Sequence, residues 1–283
     1  MITYKEHVPV LVDEIKAFLK GKETILADLT MGYMGHLKML LNNTSGFIYA
    51  FDQDQEAITH SQSYPSKKFI AIHKNFQEAP LYFQENAILL DFILLDLGVS
   101  SHQLDSDYRG FSFNKEGPLD MRMGSQEQTA ADIINTFSEK DLADIFFFYG
   151  EERSSRRFAK AITEERKKKL FTNTLDLSVF IEKIVPKKYY KIHPATKIFQ
   201  ALRIFINNEL DILKEVLPKL FDCLNQGGRI AVISFHSLED RIVKQTFKSL
   251  PGTILTKRPI IPTDEEISNN KRARSAKLRV IEK

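Results

Sequence analysis

Between residues 24 and 96, short apolar runs alternate with amphipathic stretches, and each run ends on polar or glycine-bearing punctuation. Thr24-Ile-Leu-Ala-Asp-Leu-Thr30, Gly46-Phe-Ile-Tyr-Ala-Phe51, Lys68-Phe-Ile-Ala-Ile-His73 and Phe92-Ile-Leu-Leu-Asp96 have the length and continuity of strands buried on both faces. Helical spacing lies between them: Leu37-Lys-Met-Leu-Leu41 follows the first, a short helix from Gln55 follows the second, and another precedes Asp91. In front of them Val8, Leu11, Val12, Ile15, Phe18 and Leu19 predict a helix over residues 7–19, opened by a proline and closed at Gly21. Alternating strands and helices predict an α/β protein with a doubly wound parallel sheet.

The alternation stops near residue 105. Residues 105–122 read as a long loop rich in Gly, Asp, Ser and Phe, and helical patterns follow at 129–136, 138–149, 154–167 and 175–184. A loop of that length in a compact protein is functional or disordered, and Phe111, Phe113 and Met121 argue for order. Residues 105–204 are therefore expected to form an inserted helical domain, with 1–104 and 205–283 making the sheet domain. A helix over 207–223 carries Leu210, Leu213, Leu217 and Leu220 on neighbouring turns. Asn225-Gln-Gly-Gly228 breaks it, and Arg229-Ile-Ala-Val-Ile-Ser234 is a fifth strand, followed by a helix over 238–250. Weaker strands at 253–256 and 278–282 complete the sheet.

Chemistry enters at the strand ends. Asp28, Gly32, Gly35, Asp52, Phe76 and Asp96 stand there in the order a nucleoside-binding crevice needs. The first turn lacks the G-x-G-x-x-G run that seats a pyrophosphate on a helix N-terminus. S-adenosylmethionine has no phosphate, so its turn tolerates fewer glycines, and Asp52 after strand two is placed for its ribose hydroxyls. Asp96 carries the reaction in this reading. An exocyclic base amine is a poor nucleophile, and a carboxylate with a backbone carbonyl accepting its N–H bonds holds it in line with the methyl group. Val99 stands where an aromatic to stack on the base is expected, leaving Phe111, Phe113 and Phe235 as candidates. His36 also reads as a surface histidine at a helix start, and His73 as structural. Cys223 is the only cysteine, which excludes an internal disulfide or a cysteine metal cluster and predicts a cytoplasmic home. No apolar run approaches the ~20 residues of a membrane span, and the start lacks a signal pattern. A net charge of +3 does not by itself announce nucleic acid.

Several motifs, taken together, resemble those of the bacterial ribosomal RNA small subunit methyltransferase H family, also called MraW. They are His7-Val-Pro-Val-Leu, Asp96-Leu-Gly-Val-Ser-Ser, Arg109-Gly-Phe-Ser-Phe, Leu119-Asp-Met-Arg-Met123, Tyr149-Gly-Glu-Glu-Arg153, His193-Pro-Ala-Thr-Lys-Ile-Phe-Gln-Ala-Leu-Arg203, Ser234-Phe-His-Ser-Leu-Glu-Asp-Arg-Ile-Val-Lys244 and Arg272-Ala-Arg-Ser-Ala-Lys-Leu-Arg279. The resemblance covers almost the whole chain. It implies a class I (Rossmann-like) S-adenosylmethionine-dependent methyltransferase sheet with an all-helical domain inserted after strand four. The implied reaction is N4-methylation of a cytosine in 16S ribosomal RNA, near the decoding centre. Carried onto this chain, the cofactor contacts fall on Met34, Gly35, His36, Asp52, Phe76, Asp96 and Gln103. Met34 departs from the family, whose turn has glycine or alanine there, so altered cofactor affinity is expected. Phe111, Phe113, Arg156, His193, Arg203, Ser234 and His236 are assigned to the substrate or to bracing the site. The implied partner is the small-subunit RNA, within an assembled or nearly assembled subunit, and a homodimer is an open possibility for the oligomeric state. Cations clump at Arg153, Arg156 and Arg157, at 167–169, at Lys187, Lys188 and Lys191, and over 271–277, as a phosphate track requires. Two rival readings stay open: a methyltransferase acting on another amine, and a non-catalytic RNA-binding assembly factor, for which only Met34 speaks.

Overall fold

In the computed structural model, which describes residues 9–124, 126–185 and 192–283, the chain forms two compact units. One is the chain up to Gly98 with Leu210–Lys283; the other is Val99–Glu209. His7, Val8, Lys187, Lys188 and Lys191 lie outside the described residues.

The first unit is built on seven strands, β1 (Ile25–Asp28), β2 (Phe47–Asp52), β3 (Phe69–His73), β4 (Leu90–Asp96), β5 (Leu224–Ser234), β6 (Thr253–Ile254) and β7 (Lys277–Glu282). They lie in the order β3-β2-β1-β4-β5-β7-β6. Strands β1 to β5 are parallel, whereas β7 runs antiparallel to both β5 and β6. The sheet is therefore mixed at one edge rather than parallel throughout. The helix expected over 207–223 does end before Asn225-Gln-Gly-Gly228, at Asp222, but those residues already belong to β5, which starts at Leu224 and not at Arg229; the extra residues are taken up by a register shift opposite Leu90 and Phe92.

Side chains alternate across the sheet, which explains the unbroken apolar runs. Leu26, Ile48, Ala50, Phe92 and Leu94 enter one cluster, while Ala27, Phe51, Ile93 and Leu95 enter the cluster on the other face. Each fully buried Leu, Ile or Phe among them contributes about 1.5–3 kcal/mol. The same period of two carries on to the strand ends. Asp28, Asp52 and Asp96 continue the rows of Leu26, Ala50 and Leu94, and so share one face of the sheet. That face is covered by α2 (Gly35–Asn43), following α1 (Val12–Lys16). The helix expected over residues 7–19 is thus only a short piece. Leu11 adopts left-handed backbone, φ 56°, just before it, which a helix cannot pass through. α3 (Gln55–Ser61) and α4 (Ala79–Glu85) complete the βα alternation.

The second unit is helical: α5 (Ser101–Asp105), α6 (Ala130–Thr136), α7 (Glu139–Phe148), α8 (Ser155–Glu165), α9 (Thr174–Ile184) and α10 (Ala195–Ile206). Side-chain caps at Ser100, Thr129, Ser138 and Asn173 satisfy free N–H groups at four of these starts. Ile133, Leu142, Phe146, Phe158, Ile162, Leu177, Ile198 and Leu202 fill its core. The loop over 105–122 is ordered and pinned: Leu119 N–H donates to Thr172 O at 3.1 Å, Thr174 N–H to Gly117 O at 2.9 Å and Ala130 N–H to Asp120 O at 2.8 Å. After it the chain returns to the first unit through α11 (Glu209–Asp222), and α12 (Ser237–Ser249) and α13 (Asp264–Asn269) precede β7. Among the described residues no helix is long and apolar enough to cross a membrane.

Candidate functional site

Strands β1, β2 and β3 are laid out to one side and β4 and β5 to the other, so the chain reverses direction across the sheet between β1 and β4. Ligands of open α/β sheets bind at this point, outside the carboxyl ends of the strands. The two strand ends are tied together there. Leu29 N–H donates to Leu94 O at 2.9 Å, Asp96 N–H to Thr30 Oγ1 at 2.6 Å, and Thr30 N–H to Asp28 Oδ1 at 3.2 Å. Beyond Asp96 the chain turns at Gly98, φ 97°, where an added Cβ would meet only Phe235 Cδ2 at 3.7 Å.

The first turn is held to β2. Met31 N–H donates to Phe51 O at 2.9 Å and Gly32 N–H to Asp52 Oδ2 at 2.7 Å, while Asp52 Oδ1 accepts from Asp54 N–H at 2.8 Å. Burial pushes the Asp52 carboxyl up to about 6 in spite of those bonds. Gly35 sits close against Pro9: a Cβ there would lie 3.1 Å from Cβ of Pro9, so the proline would have to give by a few tenths of an ångström.

His36 is buried, not a surface residue. Its Nε2 lies 2.8 Å from Val10 O and its Nδ1 3.3 Å from Asp96 Oδ2. Both ring nitrogens face acceptors, which only the doubly protonated imidazolium satisfies. Burial by itself lowers the basicity of the ring, but Asp96, by charge and by hydrogen bond, then Val10 O and Asp28, lift it to about 9. Asp28, fully buried, is pushed by burial from 3.8 to about 7, with His36 opposing the rise. Asp28 Oδ2 and Asp96 Oδ1 are buried with no hydrogen-bond partner among the described residues. A buried acceptor left so costs free energy unless a ligand donates to it.

Met34 takes left-handed backbone, φ 69°, as the residue before α2, and its side chain is fully buried in the cluster beneath the sheet face. A non-glycine residue pays roughly 1–2 kcal/mol for that conformation. Met34→Ala and Met34→Gly both remove the buried side chain, at a cost of about 2–5 kcal/mol, but only glycine also removes the backbone strain. Urea unfolding is expected to show the alanine variant about 1 kcal/mol less stable than the glycine variant; the reverse ranking would refute a left-handed Met34.

The site fits S-adenosylmethionine. Its ammonium, hydroxyls and amine supply donors for unpaired carboxylate oxygens, and α2 opens without a side-chain cap, leaving N–H groups for a carboxylate end. Phe76 opens a single 3-10 turn after β3, capped by Asn75, and is half-buried. Ser234 is buried at the end of β5 and its hydroxyl donates to Lys277 O at 3.4 Å. His236 caps α12, accepting from Glu239 N–H at 3.4 Å with Nε2 3.1 Å from Glu239 Oε1.

In the helical unit, Gln103 is buried and its Oε1 accepts Ser100 N–H at 3.1 Å in a capping box. Phe111 is buried in that unit's core, and Phe113 stacks on His193 with ring centroids 4.7 Å apart. His193 Nδ1 accepts from Ala195 N–H at 3.2 Å, and its Nε2 lies 2.7 Å from Glu182 Oε1. Arg203 forms a two-pronged pair with Glu209, at 2.9 and 2.8 Å. His193 and Arg203 thus brace the unit, whereas Arg156 is exposed on α8. The sequence reading did not single out Thr30, although a hydroxyl two positions past Asp28 is a usable signal, nor the Val10 carbonyl, which no pattern marks.

A doubly wound sheet with carboxylates at the ends of β1, β2 and β4, and a first turn without phosphate-binding glycines, defines a Rossmann-like, S-adenosylmethionine-dependent methyltransferase. The model of the MraW methylase family matches residues 4–283, and the chain belongs to that family. It is 46% identical to a Hydrogenobaculum sp. protein over 96% of this chain and 94% of the relative. It is 45% identical to one from Caldicellulosiruptor bescii over 98% and 99%, and 42% identical to one from Carboxydothermus hydrogenoformans over 98% and 97%. Each of the three is named ribosomal RNA small subunit methyltransferase H.

Proposed function

We propose that the chain methylates the exocyclic N4 amine of a cytosine in small-subunit ribosomal RNA, near the decoding centre. The observation that carries the chemistry is Asp96 Oδ1, a buried acceptor without a partner at the β1/β4 reversal, beside an imidazolium that fixes the other oxygen. Asp96 accepts an amine N–H, turning the nitrogen lone pair towards the electrophile, and is placed to receive the proton the nitrogen sheds. The bound cofactor supplies an electrophilic methyl group on sulfur. Of the three aromatic candidates for the base, Phe235 flanks Gly98 just past Asp96, while Phe111 and Phe113 are engaged in their own unit's packing.

The names of the relatives support RNA as the substrate. So do the exposed cations Arg156, Arg157 and Lys160 of α8 and the exposed Lys271, Arg272 and Arg274 before β7. The helical unit is assigned to RNA recognition, and the target cytosine must leave its stack to reach Asp96, which suits a loop of an assembled or nearly assembled subunit. Mapping methylated cytosines in small-subunit RNA, with and without this protein, tests the proposal. One N4-methylcytosine that depends on the protein is expected; label transferred only to protein would overturn RNA as the substrate.

A further inference from the structure

The His36 clamp is completed by a residue far away in the chain. Leu11, with its left-handed backbone, is fully buried, and its N–H donates to Oε1 of Glu266 at 2.7 Å. Glu266 lies in the first turn of α13, which Thr263 caps by accepting Glu266 N–H at 3.2 Å. The residue before the bend, Val10, presents its carbonyl to His36 Nε2 at 2.8 Å, and His36 presents Nδ1 to Asp96 Oδ2 at 3.3 Å. A left-handed leucine persists only where its neighbours hold it. Here the partner of its N–H is a single carboxylate, and the Val10 carbonyl belongs to the same planar peptide unit as that N–H, so fixing one fixes the direction of the other.

We propose that Glu266 is a positioning residue for methyl transfer: by holding the Leu11 bend it aims the Val10 carbonyl at His36, and so keeps His36 aimed at Asp96. The inference rests on the reading of the His36–Asp96 pair as part of the cofactor and amine site. The groups that act on His36 are Asp96 from the end of β4, Asp28 from the end of β1, and the uncharged Val10 carbonyl. Glu266 works through geometry and not through its charge, because what Leu11 N–H needs is an acceptor. Glutamine keeps that acceptor and alanine does not.

The test compares the full-length wild type, Glu266→Gln and Glu266→Ala in two readouts. The first is the titration midpoint of the His36 ring followed by NMR without cofactor. Loss of the Val10 carbonyl removes one of the two acceptors that favour the imidazolium, so the midpoint of the alanine variant is expected to fall by about one pH unit, while that of the glutamine variant stays near the wild type. The second is S-adenosylmethionine affinity by calorimetry, expected to weaken about tenfold in the alanine variant and less than threefold in the glutamine variant. An unchanged His36 midpoint in the alanine variant would overturn the proposal, as would equal effects of glutamine and alanine on both readouts. A midpoint that falls in the alanine variant alone, with a wild type that binds no cofactor, upholds the link from Glu266 to His36 and overturns the reading of the site instead.

Discussion

Asp96→Asn is expected to lower methyl transfer to small-subunit RNA by about 10³-fold while leaving the protein folded. The size of the side chain is kept, so the effect isolates hydrogen-bonding character. In one orientation the amide NH₂ meets His36 Nδ1–H, donor against donor, where Oδ2 accepts at 3.3 Å. In the other, the amide oxygen keeps His36 and the NH₂ takes the place of Oδ1, the buried atom left without a partner. It then faces the amine of the substrate with a donor where an acceptor is needed. Either way one of two required acceptors is gone. Transfer of tritium from methyl-labelled cofactor into small-subunit RNA measures the loss. Activity within tenfold of the wild type would remove Asp96 from the mechanism.

Asp28→Asn is expected to make the protein more stable and the enzyme worse. Burial raises the Asp28 carboxyl from 3.8 to about 7, so the folded state holds its proton more tightly than the unfolded chain does. The stability this gives is fully present below 3.8 and is lost as the pH rises through 7. A rise of about three pH units corresponds to roughly 4 kcal/mol at pH 8, and an uncharged isostere avoids that loss. Urea unfolding should therefore show Asp28→Asn more stable by about 2–4 kcal/mol at pH 8, with the advantage shrinking steadily towards pH 4. His36 adds a slope of its own, smaller in the variant because Asp28 is one of the groups that raise it. Its raised value, from 6.5 to about 9, gives stability that is full below 6.5 and lost as the pH climbs through 9. Cofactor affinity should drop at least tenfold in the variant, because an anion facing the site has been removed. A variant that is less stable than the wild type at pH 8 would refute burial as the origin of the raised carboxyl.

The strand framework was readable because the central strands are buried on both faces: Ile93 and Leu95 need one cluster while Phe92 and Leu94 need the other, and the run is apolar without a break. The carboxylates were readable as strand ends for the same reason. β3 departs from the expectation of burial on both faces: it is an edge strand, none of its residues is fully buried and Ile70 is exposed. What escaped was set by contacts distant in sequence. Leu11 and Met34 take left-handed backbone without being glycines, so their own identities do not announce it, and the Val10 carbonyl that fixes His36 is a backbone atom. The antiparallel β7 enters between β5 and β6 through a pairing that no local pattern encodes. α10 is different: Ala195, Ile198, Phe199, Ala201 and Leu202 already have helical spacing, and the signal was present though the segment stood out first as a motif.

On the proposed reading of the site, two carboxylates around one imidazolium also sort reactant from product. When Asp28, His36 and Asp96 are all ionised, the buried cluster holds one surplus negative charge in a place that water reaches poorly. The methyl donor enters as a sulfonium and leaves as a neutral thioether, so the share of the attraction that the sulfonium charge supplies is lost with the methyl group. Above about pH 7, where Asp28 gives up its proton, spent cofactor is a weaker competitor for the pocket; below it, the two forms compete on more equal terms.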